Sequence, residues 1–177
     1  MSFQAIREFL GLGGSSAPEP TPLRDLIESL DRLDPARARH LARFSYLLGW
    51  VAHADRHVSP DETRAMEALV VREGALSPDQ ATVVIGLAKT SNLLFGGTAD
   101  YQVAQEFAES ASYEEKLALG RCLFAVASSD HQISMPEEAE IHRILNQLRI
   151  LPHDLTTLRV EHGQYLPGRS KAGGQRM

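Results

Sequence analysis

The chain has 177 residues, a length that suits one domain with a buried core rather than two. An apolar fraction of 43% excludes wholesale disorder, and aromatics at only 6%, with Ala and Leu leading the apolar set, favour helix over sheet. A net charge of −5 argues against a nucleic-acid partner, which is met by a basic face.

In chain order, Phe3, Ile6, Phe9 and Leu10 lie on one face of a short amphipathic helix. With Arg7 as its one basic residue, this segment offers a membrane surface weak contact or none, and docking on its own bundle is the simpler expectation. Gly11 to Pro22 is rich in Gly, Ser and Pro and reads as a linker, so residues 1–22 form a segment of their own. Thr21-Pro22 then opens a helix with Leu23, Leu26, Ile27 and Leu30 at helical spacing. Asp34-Pro35 opens the next, expected to run to about Ala54. Ser59-Pro60-Asp61-Glu62 is a capping box, with Ser accepting from the N3 amide while Glu reaches back to the Ser amide. Ser77 to Gln80, Ser112 to Glu115 and Ser134 to Glu137 repeat that arrangement, a helix starts near Asp100, and Pro152 begins a short last one. Residues 163–177 are Gly-rich and basic (Arg169, Lys171, Arg176) and read as a mobile tail. No period-2 run is present, so the expected fold is all-α, a compact bundle of about seven helices over residues 23–162.

Leu48 to Val70 and Leu123 to Leu145 match at a constant offset of 75. Leu48/Leu123, Val51/Val126, Ala52/Ala127, Asp55/Asp130, Ser59/Ser134 and Glu62/Glu137 are identical pairs, and Val58/Ile133 and Met66/Ile141 are conservative ones. Apolar matches alone arise between any two amphipathic helices. The polar skeleton Asp-x-x-(Val/Ile)-Ser-x-x-Glu in register with them points to an internal pseudo-two-fold helix–loop–helix repeat.

These paired motifs, Ala-x-Ala-Asp-x-x-Val-Ser-x-x-Glu at Ala52 to Glu62 and its echo from Ala127 to Glu137, resemble those of the TerB-like family, named for tellurite resistance. The resemblance covers about Leu23 to Glu161. It implies a helical bundle in which acidic residues of both motifs approach each other to bind a divalent cation, and a loose association with stress response and membrane-linked complexes. Family members often carry Gly directly after the Asp; here Arg56 and His131 stand in those places.

The residues themselves support the same chemistry. Asp55 and Asp130 follow helix C-termini, where the macrodipole disfavours a carboxylate by up to about 1 kcal/mol, so a purpose beyond the helix is indicated. Ca²⁺ or Mg²⁺ takes hard oxygen ligands, and Asp55, Glu62, Asp130 and Glu137 supply them. His53, His57 and His131 flank the aspartates and admit Zn²⁺ as a less favoured ion. The alternative is architectural: Glu62 and Glu137 are N3 members of capping boxes, Asp55 and Asp130 bond loop amides, and the domain only docks on a protein partner. An EF-hand is excluded, since Glu follows Asp by seven residues instead of closing a twelve-residue loop.

No enzyme is expected. There is no Glu-x-x-His for a di-iron site and no phosphate-binding Gly loop. His153-Asp154 lacks the downstream Asp of a metal-dependent phosphohydrolase. Cys122 has apolar neighbours at helical spacing and reads as core. A lone thiol, no apolar run of membrane-spanning length and no secretory signal together make a cytoplasmic protein the expectation.

Overall fold

The computed structural model describes residues 25–26, 28–30, 32–51, 60–94, 100–129 and 131–167, with the side chains of 60–62, 90–94 and 100 outside that description. Within it the secondary structure is entirely helical. Helical residues 25–26 and 28–30 precede α1 (Pro35–Val51), α2 (Pro60–Gly74), α3 (Pro78–Leu94), α4 (Asp100–Ser110), α5 (Tyr113–Ala127), α6 (Met135–Gln147) and α7 (Pro152–Glu161), followed by a 3₁₀ turn, Gly163–Tyr165.

The helices begin where the local chemistry says they should. Asp34 Oδ1 accepts from the amides of Ala36 (2.9 Å) and Arg37 (3.3 Å), and Pro35 needs no acceptor at the first helical position. At α3 the Gln80 amide donates to Ser77 Oγ (3.2 Å) while Gln80 Oε1 accepts from the Ser77 amide (3.3 Å). Complete Ser/Glu boxes open α5 at Ser112–Glu115 and α6 at Ser134–Glu137. The Ser59 box before α2 lies outside the described residues, as do Thr21-Pro22 and the 1–22 segment with Phe3, Ile6, Phe9 and Leu10.

Two helices organise the core. Leu41, Leu47, Leu48 and Phe44 of α1 are fully buried, and α1 packs on α3, α4, α5 and α6. Leu119, Cys122, Leu123 and Phe124 of α5 are equally buried, and α5 packs on α1, α2, α6 and α7. Gly49 lets α1 and α3 approach closely: a Cβ there would stand 2.8 Å from the Ala88 carbonyl oxygen. Trp50, at the end of α1, lies under the Arg143 guanidinium of α6, 4.1 Å from the ring centroid.

Both stretches aligned by the offset of 75 run helix, connection, helix, as α1/α2 and α5/α6. Beyond that their packing differs, because α2 lies along α3 whereas α6 and α7 make no comparably extensive contact. The duplication therefore rests on the residue pattern. The packed chain also continues past α7: Gly163 and Leu166 are buried, and the Ile133 amide donates to the Tyr165 carbonyl (2.7 Å).

Candidate functional site

The second motif spans the connection from α5 to α6. α5 is capped at Ser128, whose amide donates to the Phe124 carbonyl (3.0 Å); the His131 amide then donates back to the Ser128 carbonyl (2.9 Å). His131 has φ 67°, in the left-handed region that favours glycine. The departure from Gly thus falls where Gly is physically preferred, and a histidine takes up the turn. Ile133 points inward, fully buried, and its amide is satisfied by Tyr165. Ser134 and Glu137 then start α6: the Glu137 amide donates to Ser134 Oγ (3.4 Å), and Glu137 Oε2 accepts from the Ser134 amide (2.7 Å).

Of the four acidic residues expected to hold a cation, Glu137 is the one whose side chain the structure describes. It is half-buried and one of its oxygens is committed to the cap. Glu62 stands in the first turn of α2, its side chain outside the described residues; Asp55 and Asp130 also lie outside, as do His53 and His57. Among the described residues no three His, Cys, Asp or Glu side chains stand close enough to hold a metal ion. His131 is exposed, its ring edge-on to Tyr165 at 6.2 Å between centroids.

A second constellation escaped the sequence reading. Arg37, His40 and Phe44 of α1, Gly74 and Ala75 at the end of α2, and Glu114, Glu115, Ala118 and Arg121 of α5 line a half-open cleft of about 260 Å³. Phe44 forms an apolar floor, and the walls alternate in charge. Glu115, while closing its cap on Ser112, brings Oε1 to 3.8 Å from both Arg37 Nη1 and His40 Nε2. Arg37 also donates to Gln80 Oε1 (3.0 Å), tying α1 to the cap of α3. The His40 ring lies 5.1 Å from that of Phe107. Burial holds the imidazole below its usual pKa; the Glu115 charge works to raise it, and Arg37 and Arg43 lower it further. Burial works to raise the Glu115 carboxyl, but the Ser112 amide, the His40 charge and Arg37 outweigh it and hold it below the ordinary carboxylate range. The ends of three helices separated in sequence meet here, so a local pattern carries no sign of the cleft beyond the cap at Glu115.

The expectation that Cys122 belongs to the core holds. Cys122 is fully buried, its thiol pushed up to about 12, chiefly by burial and then by the Glu73 charge, with Arg121 opposing. It is a core residue. Asp154 is engaged structurally: Tyr113 donates to its Oδ2 (2.5 Å) and accepts from the Leu151 amide (3.1 Å), which fixes the start of α7 against the start of α5. That bond to Asp154, followed by burial, raises the Tyr113 phenol above its ordinary value.

Among the described residues no helix is long and apolar enough to cross a membrane. The family model described as tellurite resistance protein TerB matches residues 44–160, from the middle of α1 to the end of α7, and takes in both motifs. No curated protein and no solved structure is significantly similar to the chain.

Proposed function

The chain belongs to the TerB family, and we propose that it is a non-enzymatic cytoplasmic module that binds a divalent cation through its paired motifs and docks on a protein partner in a tellurite-type stress response. Asp55, Glu62, Asp130 and Glu137 are the ligands in this reading, with Ca²⁺ or Mg²⁺ preferred over Zn²⁺ because the donors are carboxylate oxygens. The observation that carries it is the recurrence of Asp-x-x-(Val/Ile)-Ser-x-x-Glu in both halves of the family's matched span. The described part of the second motif is compatible with it. Glu137 uses Oε2 for the cap, and its other oxygen has no protein hydrogen bond among the described residues. A carboxylate held at a fixed position by one oxygen is pre-organised to offer the other.

One observation favours a second reading. The same Glu137 closes a complete capping box, which alone explains a Glu three residues after Ser134. In that case the acids are architecture and the module serves protein interaction only. Calorimetric titration of Ca²⁺, Mg²⁺, Mn²⁺ and Zn²⁺ into metal-stripped protein separates the two, run beside the Asp55→Asn/Asp130→Asn double variant. Saturable binding at about micromolar affinity, absent in the variant, is expected. No heat with any ion, and a variant that is only less stable, would sink the cation reading and leave the capping role.

A further inference from the structure

We propose that Gly163–Leu166 is a strap that positions the second motif loop. It lies beyond residue 160, where the family's matched span ends. The loop is fixed at its front by the turn at Ser128 and at its rear by the Ser134 cap, both within its own sequence. Between them stands Ile133, fully buried, whose amide donates to the Tyr165 carbonyl (2.7 Å). A buried N–H that loses its acceptor is costly, so the loop conformation depends on the strap staying in place.

Four further contacts keep it there. The Tyr165 ring meets His131 edge-on, with an interplanar angle of 81°. Leu166 is only 6% exposed and anchors the far end in the core. At the near end, the His162 ring stacks on Phe124, 5.4 Å between centroids, while Arg159 of α7 pairs with Glu138 of α6 (2.6 Å). The strap therefore touches the motif at two of its residues, His131 and Ile133, and the helix before it touches a third element of the same corner, the first turn of α6. Its consequence for ligand binding rests on the cation reading above; its control of the loop does not.

The test uses the full chain with Leu166→Asp, which expels the anchor, and Tyr165→Ala, which removes the ring contact with His131 but keeps the backbone carbonyl that accepts from Ile133. Amide hydrogen exchange is followed by NMR under native conditions. We expect the Ile133 and His131 amides to exchange at least about tenfold faster in Leu166→Asp, and less so in Tyr165→Ala, while Leu47 and Ile85 keep wild-type rates. Unchanged exchange at Ile133, or equal acceleration of Leu47 and Ile85, overturns the strap. Mn²⁺ titration of the same proteins is expected to show affinity reduced by at least about fivefold in Leu166→Asp. Wild-type affinity in a variant whose Ile133 exchange has accelerated overturns the strap's bearing on the site. If wild-type protein takes up no Mn²⁺ at all, the cation reading fails, and the exchange rates alone decide the strap.

Discussion

At His131 the backbone turns through φ 67°, a conformation that sets an L residue's Cβ close to the following carbonyl oxygen at a cost of roughly 1–2 kcal/mol. Glycine avoids that cost but loses about 0.5–1 kcal/mol through its greater freedom in the unfolded chain. The difference favours glycine, and among the described residues the exposed imidazole has one ring contact, with Tyr165, to lose. His131→Gly is therefore expected to stabilise the protein by about 0.5–1 kcal/mol, read as a rise of about 1–4 °C in Tm. A lower Tm would mean that the Tyr165 contact outweighs the backbone strain. Ala75 (φ 53°) and Arg149 (φ 60°) also have positive φ, each just past a helix end. At Arg149 the next amide, that of Ile150, returns to the Leu145 carbonyl (3.1 Å), the bond that closes a Schellman motif.

Among the elements, α1 and α3 form the closest pair and Gly49 is the reason. A Cβ there would stand 2.8 Å from the Ala88 carbonyl oxygen and 3.2 Å from its Cα, both backbone atoms of a packed helix that has little room to retreat. Gly120 differs: its added Cβ would meet side-chain methyls, Leu158 Cδ1 at 2.9 Å and Leu145 Cδ2 at 3.1 Å, which rotate more readily. Gly49→Ala is expected to destabilise by about 1–3 kcal/mol, although Ala is the better helix former by about 1 kcal/mol. Urea unfolding measures this directly. A neutral or stabilised Gly49→Ala would show that the helices slide apart at no cost.

For the molecule as a whole, acid sensitivity comes from the ion-pair belt that joins α1 to α4 and α5. His40 titrates below its unfolded value of 6.5, so as the pH falls below about 6.5 the unfolded chain takes a proton that the folded one refuses. That contribution is present above 6.5 and is lost on acidification. Glu115 and Glu106 titrate below 4.5 in the fold. For Glu106 burial acts to raise the value, and bonds from Gln102 and Arg43 (2.7 Å), together with the Arg43 charge, outweigh it. Their stabilisation is present above 4.5 and is lost below it. Stability in urea should therefore fall in two stages, one beginning near pH 6.5 and one near 4.5. His40→Gln should remove the first stage and weaken the Glu115 share of the second, since the His40 charge helps to hold that carboxyl low; a first stage that survives would assign it to another group.

What the sequence determined by itself is what depends on neighbours along the chain. The starts of α1, α3, α5 and α6 are written by Asp34, Ser77, Ser112 and Ser134, because a cap bonds amides two or three residues away and needs no tertiary partner. The all-helical fold, the burial of Cys122 and the family resemblance follow from equally short-range patterns. Only the tertiary structure decided which ends meet. The cleft of Arg37, His40, Glu115 and Arg121 joins helices 70 or more residues apart, the Tyr113–Asp154 bond spans 41 residues, and Tyr165 reaches Ile133 from the far side of α6 and α7. Such contacts are set by where helices cross, and crossings follow from side-chain packing over whole helix faces, which no local spacing encodes.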